Sequence, residues 1–97
     1  MERLTRPLNG GYVVDETKVT PGSEGYSGEA INRLGRFEDF YENLIASQKE
    51  IPKELQKLRD EGKEKSYRYK ELMGKKLTDS YILGLLKSHG IISGTPY

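Results

Sequence analysis

The sequence predicts a mainly α protein: an antiparallel helical hairpin with a short third helix, a small amino-terminal β-hairpin, and assembly into an oligomer. Three observations carry this expectation. Residues 27–77 hold apolar residues at helical spacing on either side of Ile51-Pro52. Asn9-Gly10 sits between two short runs containing β-formers, a strong signal for a two-residue hairpin turn. The chain is also lean, with 34% hydrophobic and 32% charged residues among 97, so one small domain would bury a modest core. Small domains are supplemented by disulfides, metals or oligomerisation. With no Cys and one His, His89, oligomerisation is what remains.

The single domain 1–97 divides in reading order into 1–26, 27–77, 78–90 and 91–97. Residues 2–7 and 11–15 form the expected hairpin, and 20–28, rich in Gly and Pro, reads as a loop. The first helix starts with Ser27 as N-cap and Glu29 in the positive first turn. Its apolar face runs Ala30, Ile31, Leu34, Phe37, Tyr41, Leu44 and Ile45, with Gly35 beside it and Phe40 off it.

Pro52 suits the first position of a second helix, where its missing N–H costs nothing. From Lys53, the positions Leu55, Leu58, Gly62, Tyr69, Leu72 and Lys76 keep a near-heptad spacing. Glu61–Lys65, Glu64–Arg68 and Glu71–Lys75 are i,i+4 pairs in the favourable order. One long helix is expected, with Gly62 and Ser66 as the places where it would break. A third helix opens at Thr78 or Asp79 and carries Tyr81, Ile82, Leu83, Leu85 and Leu86 on most sides, so it should be buried. Gly90 supplies its C′ position, and residues 91–97 read as a frayed tail.

The net charge of +1 hides an asymmetry. Residues 27–51 hold three basic and five acidic groups, and residues 52–97 hold ten basic and six acidic. Either an acidic helix attracts a basic one, which composition favours, or the basic segment meets an anionic ligand. The amino terminus has no signal-peptide pattern and no stretch reaches membrane-spanning length, so a cytoplasmic protein without membrane contact is expected.

Catalytic chemistry has little support. His89 lacks a Ser and Asp context. Glu38 with Glu42, and Asp60, Glu61 and Glu64, read as solvated helix charges rather than acid–base or metal sites. No cofactor is expected. The candidate ligand-binding residues are Tyr67, Arg68, Tyr69 and Lys70, where aromatic faces and cations interleave as a nucleotide requires, joined by Arg3 and Arg6. On a helix Tyr67 and Tyr69 point about 200° apart, so they do not stack on one base. Residues 76–87 are similar to the first helix of a helix-turn-helix, but no recognition helix follows, so sequence-specific DNA binding is not expected.

Two stretches together carry a family resemblance. Met1-Glu2-Arg3-Leu4-Thr5 and Glu29-Ala30-Ile31-Asn32-Arg33-Leu34-Gly35-Arg36-Phe37-Glu38-Asp39 resemble small accessory proteins of phages and prophages of Gram-positive bacteria. The chain departs from many of them by continuing as helix through Phe40-Tyr41-Glu42. The resemblance implies a phage-encoded protein in the host cytoplasm, without catalytic residues, that binds and neutralises a host component. The expected function is antagonism of anti-phage defence. It would act either by sequestering a cyclic or modified nucleotide signal between subunits or by blocking a defence protein, as anti-CRISPR proteins do. The alternative is a self-assembling structural or regulatory phage protein.

Overall fold

The computed structural model describes residues 1–93; the final part of the expected tail, 94–97, lies outside them. The element order is β1 (Thr5–Leu8), β2 (Gly11–Val14), a 3₁₀ turn (Glu16–Lys18), β3 (Thr20–Gly22), β4 (Gly25–Ser27), α1 (Glu29–Asp60) and α2 (Tyr67–Ser88). The fold is mainly α, with two long helices following a small β region in the chain. The chain divides into two compact units, Met1–Phe40 and the residues from Tyr41 onward, with α1 contributing to both.

In the amino-terminal unit β1 and β2 pair antiparallel, Thr5 opposite Val14 and Leu8 opposite Gly11. Asn9 and Gly10 both have positive φ, 49° and 81°. That is the primed turn whose twist matches the strands, and Asn-Gly is the pair that tolerates it. Pro7 is accommodated because a two-stranded ribbon has only edge strands. Asp15 caps the 3₁₀ turn by accepting from the Thr17 N–H and hydroxyl, each at 3.1 Å. The expected 20–28 loop is instead a second hairpin, with Thr20 opposite Ser27 and Gly22 opposite Gly25. Strands of Thr-Pro-Gly and Gly-Tyr-Ser carry turn residues, not strand-formers, so their composition conceals the pairing.

Ser27 ends β4 rather than capping α1. The cap is Gly28, whose carbonyl accepts from Asn32 N–H at 2.9 Å. Its φ is +121°, and a Cβ there would stand 2.5 Å from the Lys18 carbonyl oxygen. The helix start therefore packs directly on the Lys18–Val19 backbone, which a serine at this position would prevent. Glu29 occupies the first turn as expected and pairs with Lys18 at 3.1 Å and Arg33 at 3.8 Å.

In the helical unit the break falls ten residues later than the sequence suggests, because α1 runs straight through Ile51-Pro52. Pro52 forfeits one helical hydrogen bond. Ile51 and Leu55, at 4% and 1% exposure, flank it in the core with Leu72, and Leu58, Tyr69 and Met73 pack around them. Only an unbroken helix keeps Ile51 and Leu55 on one seam, so packing overrides the proline. The chain reverses at Gly62, φ +71°, where Lys63 N–H reaches the Leu58 carbonyl at 2.8 Å and Gly62 N–H that of Arg59 at 3.0 Å. This is the Schellman stop that Gly at C′ permits. Ser66 then caps α2 by accepting from Tyr69 N–H at 3.2 Å. The single helix expected over 53–77 is thus two, broken at the Gly and Ser identified as breakers.

The helices pair antiparallel. Arg59 donates to Tyr69 Oη at 2.9 Å near the turn, Arg68 to Glu54 at 3.0 Å, and Gln48 to Ser80 Oγ at 3.2 Å farther along. No third helix begins at Thr78 or Asp79, because α2 continues through both and ends at Gly90, φ +73°, the expected C′ residue. Asp79 is not a cap but a member of the seam, 3% exposed. Its Oδ2 accepts no hydrogen bond; Lys75 Nζ lies 3.4 Å from it and donates to Oδ1 only at a long 3.5 Å. A buried carboxylate held this loosely costs more in desolvation than it regains. Asp79→Leu is therefore expected to stabilise the protein by about 1–3 kcal/mol, read as a higher midpoint in thermal unfolding. A lower midpoint would show that the carboxylate is needed by the fold.

Candidate functional site

The amino-terminal unit carries an open apolar concavity of about 580 Å³, within the range of small-molecule sites. Its floor is the first two turns of α1, where Ala30, Ile31, Leu34 and Phe37 recur at helical spacing. Leu4, Val14 and Val19 complete the apolar wall, and Arg3 and Arg33 also contribute to the lining. The antiparallel register puts Thr5 opposite Val14, both lining the cavity. Arg6, the next residue on β1, faces the other side of the ribbon because strand side chains alternate.

The two arginines are held differently. Arg33 donates to the Glu2 carbonyl at 2.7 Å and lies 3.8 Å from Glu29, which it shares with Lys18. Glu29, through its hydrogen bond, raises the Lys18 pKa above the ordinary value. Arg3 Nε donates to the Thr5 carbonyl at 3.0 Å, and its guanidinium lies 5.8 Å from the Tyr12 ring centre. Among the described residues no carboxylate forms an ion pair with Arg3. Of these two arginines, Arg3 is the one without an ion pair, so an incoming anion gains more by meeting it than by meeting Arg33.

The helical unit carries the other four sequence candidates on its loop end. Tyr67 is 81% exposed. Tyr69 is half-buried, packed against Ile51, Leu55 and Leu72 with its hydroxyl accepting from Arg59, so its role is in the core. Arg68 is committed within the chain, at 2.7 Å to Glu71 and 3.0 Å to Glu54. Those hydrogen bonds, Glu71 first and then Glu54, raise its pKa above the ordinary value. Lys70 is exposed. The two tyrosines face different ways, as their spacing requires, and the groups of this set presented to solvent without an ion pair are Tyr67 and Lys70.

Compared with protein-family models, with curated proteins and with solved structures, the chain matches none. The site must therefore be read from its chemistry. Glu38, Glu42, Asp60, Glu61 and Glu64 are all exposed, and Asp60 and Glu61 are engaged with Gln56 and Lys63. Among the described residues no group of three or more His, Asp or Glu is arranged to hold a metal ion, and no helix is long and apolar enough to cross a membrane. An apolar concavity with cations on it can bind a molecule that is part ring or chain and part anion. Sequence reasoning found its helical floor and Arg3 but missed Arg33, Leu4, Val14 and Val19. The signal for Arg33 was its place beside the Ala30–Phe37 stripe; the wall residues come together only through the hairpin and the Gly28 contact.

Proposed function

We propose that this chain is a non-catalytic, phage-type binding protein that works as a homo-oligomer and antagonises bacterial anti-phage defence by sequestering a nucleotide signal. The supporting observation is the cavity beside Arg3 and Arg33, of a volume suited to a small ligand. The apolar wall takes the face of a base, and the guanidinium groups take phosphate oxygens through charge-assisted hydrogen bonds. Tyr67 and Lys70 of another subunit supply further contacts in this reading. The resemblance of residues 1–5 and 29–39 to phage accessory proteins supports a stoichiometric role in the host cytoplasm.

Arg3→Glu combined with Arg33→Glu tests the reading. In bacteria protected by nucleotide-signalling defence, the double variant is expected to lose its rescue of phage plating while its far-UV circular dichroism is unchanged. The single Arg3→Ala should weaken ligand binding about ten- to a hundredfold, the range for one charge-assisted contact. Full rescue by the double variant would remove the anion site. A second reading, direct blocking of a defence protein, is favoured by Tyr12 and Tyr26, 69% and 68% exposed on the two hairpins, since tyrosines are enriched in protein interfaces. Co-purification of a stoichiometric host protein that is lost on Tyr12→Ala and Tyr26→Ala substitution would support that reading instead.

A further inference from the structure

The outer face of α2 has a pattern that the single chain does not use. The end of this helix is apolar on most sides, yet Leu77, Tyr81 and Leu85 are 67%, 68% and 41% exposed, while Leu72 and Leu83 on the opposite side fill the seam with α1. At 100° per residue, Gly74, Leu77, Thr78, Tyr81, Gly84, Leu85 and Ser88 all fall within about 60° of the Tyr81 direction. No charged residue shares that sector between Lys70 and the helix end. A Cβ at Gly74 or Gly84 would meet nothing within 4 Å. Both glycines weaken the helix without admitting a neighbour among the described residues.

Outward from Tyr81 this face runs smaller residue, leucine, small residue in both directions. Leucines stand four residues to either side of Tyr81, Thr78 and Gly84 three residues away, and Gly74 and Ser88 seven away. An isologous interface requires a patch complementary to itself under a two-fold rotation. Two α2 helices crossing antiparallel at Tyr81 meet that requirement: Leu77 faces the partner's Leu85, and the small residues lie opposite one another where the backbones approach.

We infer that the outer face of α2 is the two-fold interface on which a second copy of this chain docks, with Tyr81 at the axis and Leu77 packed on the partner's Leu85. The inference rests on the proposed self-association and names its surface; it does not depend on the ligand.

Sedimentation equilibrium of the full chain, from about 1 to 100 µM, tests it with Leu77→Glu, Leu85→Lys and the double variant L77E/L85K. The wild type is expected to dimerise or form higher even-numbered species. Each single substitution buries a charge against leucine and should raise the dissociation constant about a hundredfold or more. The double variant places each new carboxylate against the partner's new ammonium and should recover to within about tenfold of wild type. Positions 77 and 85 are two turns apart on one helix, so the rescue has no intramolecular route. A wild type that stays monomeric throughout would overturn the self-association itself. Single variants that dimerise normally, or a double variant no better than the singles, would overturn this face while leaving oligomerisation and ligand binding standing. Unchanged circular dichroism of the variants, whose sites are exposed, identifies an effect on assembly rather than folding.

Discussion

Leu55→Ala should lower the thermal midpoint of the helical unit by roughly 10–30 °C. Leu55 is 1% exposed, the most completely buried side chain among the described residues. It touches both sides of the seam in the Ile51–Leu55–Leu72 cluster. Truncating such a leucine costs about 2–5 kcal/mol, the transfer loss plus the cavity left behind. In a domain of this size each kilocalorie shifts the midpoint by about 4–8 °C. Few other buried residues can close over the gap, since Leu44 and Leu83 lie farther along the helices. Tyr26→Ala, at an exposed position, provides the comparison and should change stability by under about 0.5 kcal/mol. A Leu55→Ala protein within a few degrees of wild type would show that the helices are held together by something other than this seam.

Gly28→Ala is the second large effect, and it falls on the other unit. The residue combines φ +121° with a Cβ position 2.5 Å from the Lys18 carbonyl oxygen and 3.2 Å from Val19 Cα. Both obstacles are backbone, which yields less readily than a flexible side chain. Strain at the positive φ and overpacking each cost about 1–3 kcal/mol, so the total is roughly 2–6 kcal/mol. Relief requires Lys18–Val19 to move off the start of α1, and Val19 is part of the cavity wall. Amide hydrogen exchange is expected to accelerate across residues 5–35 while the buried seam of α2 keeps its protection, and ligand affinity should fall with it. Unchanged exchange in the hairpins would mean that the helix start does not rest on that segment.

The sequence made the punctuation legible wherever one residue type has one backbone use. Asn9-Gly10 predicts its turn because both positions need positive φ, and Gly90 ends α2 for the same reason. Pro52 and Asp79 misled because their usual roles, helix start and N-cap, are local preferences that packing overrode. Pro52 is itself exposed, but Ile51 and Leu55 to either side of it lie on the seam, and Asp79 lies on the buried side of α2. The second hairpin was hidden by strands made of turn residues. The candidate site was half legible: a periodic stripe exposes the floor at Ala30, Ile31, Leu34 and Phe37. Its wall at Leu4, Val14 and Val19 is assembled by strand register and by one close backbone contact, which no local pattern encodes.

Native mass spectrometry of the purified protein, before and after exposure to the small-molecule extract of phage-infected cells whose defence signals by nucleotides, tests the sequestration proposal most directly. Oligomer mass should rise in whole nucleotide-sized steps, and the rise should be lost in the variant carrying Arg3→Glu and Arg33→Glu. An oligomer that stays bare in that extract would contradict sequestration and leave a protein as the target.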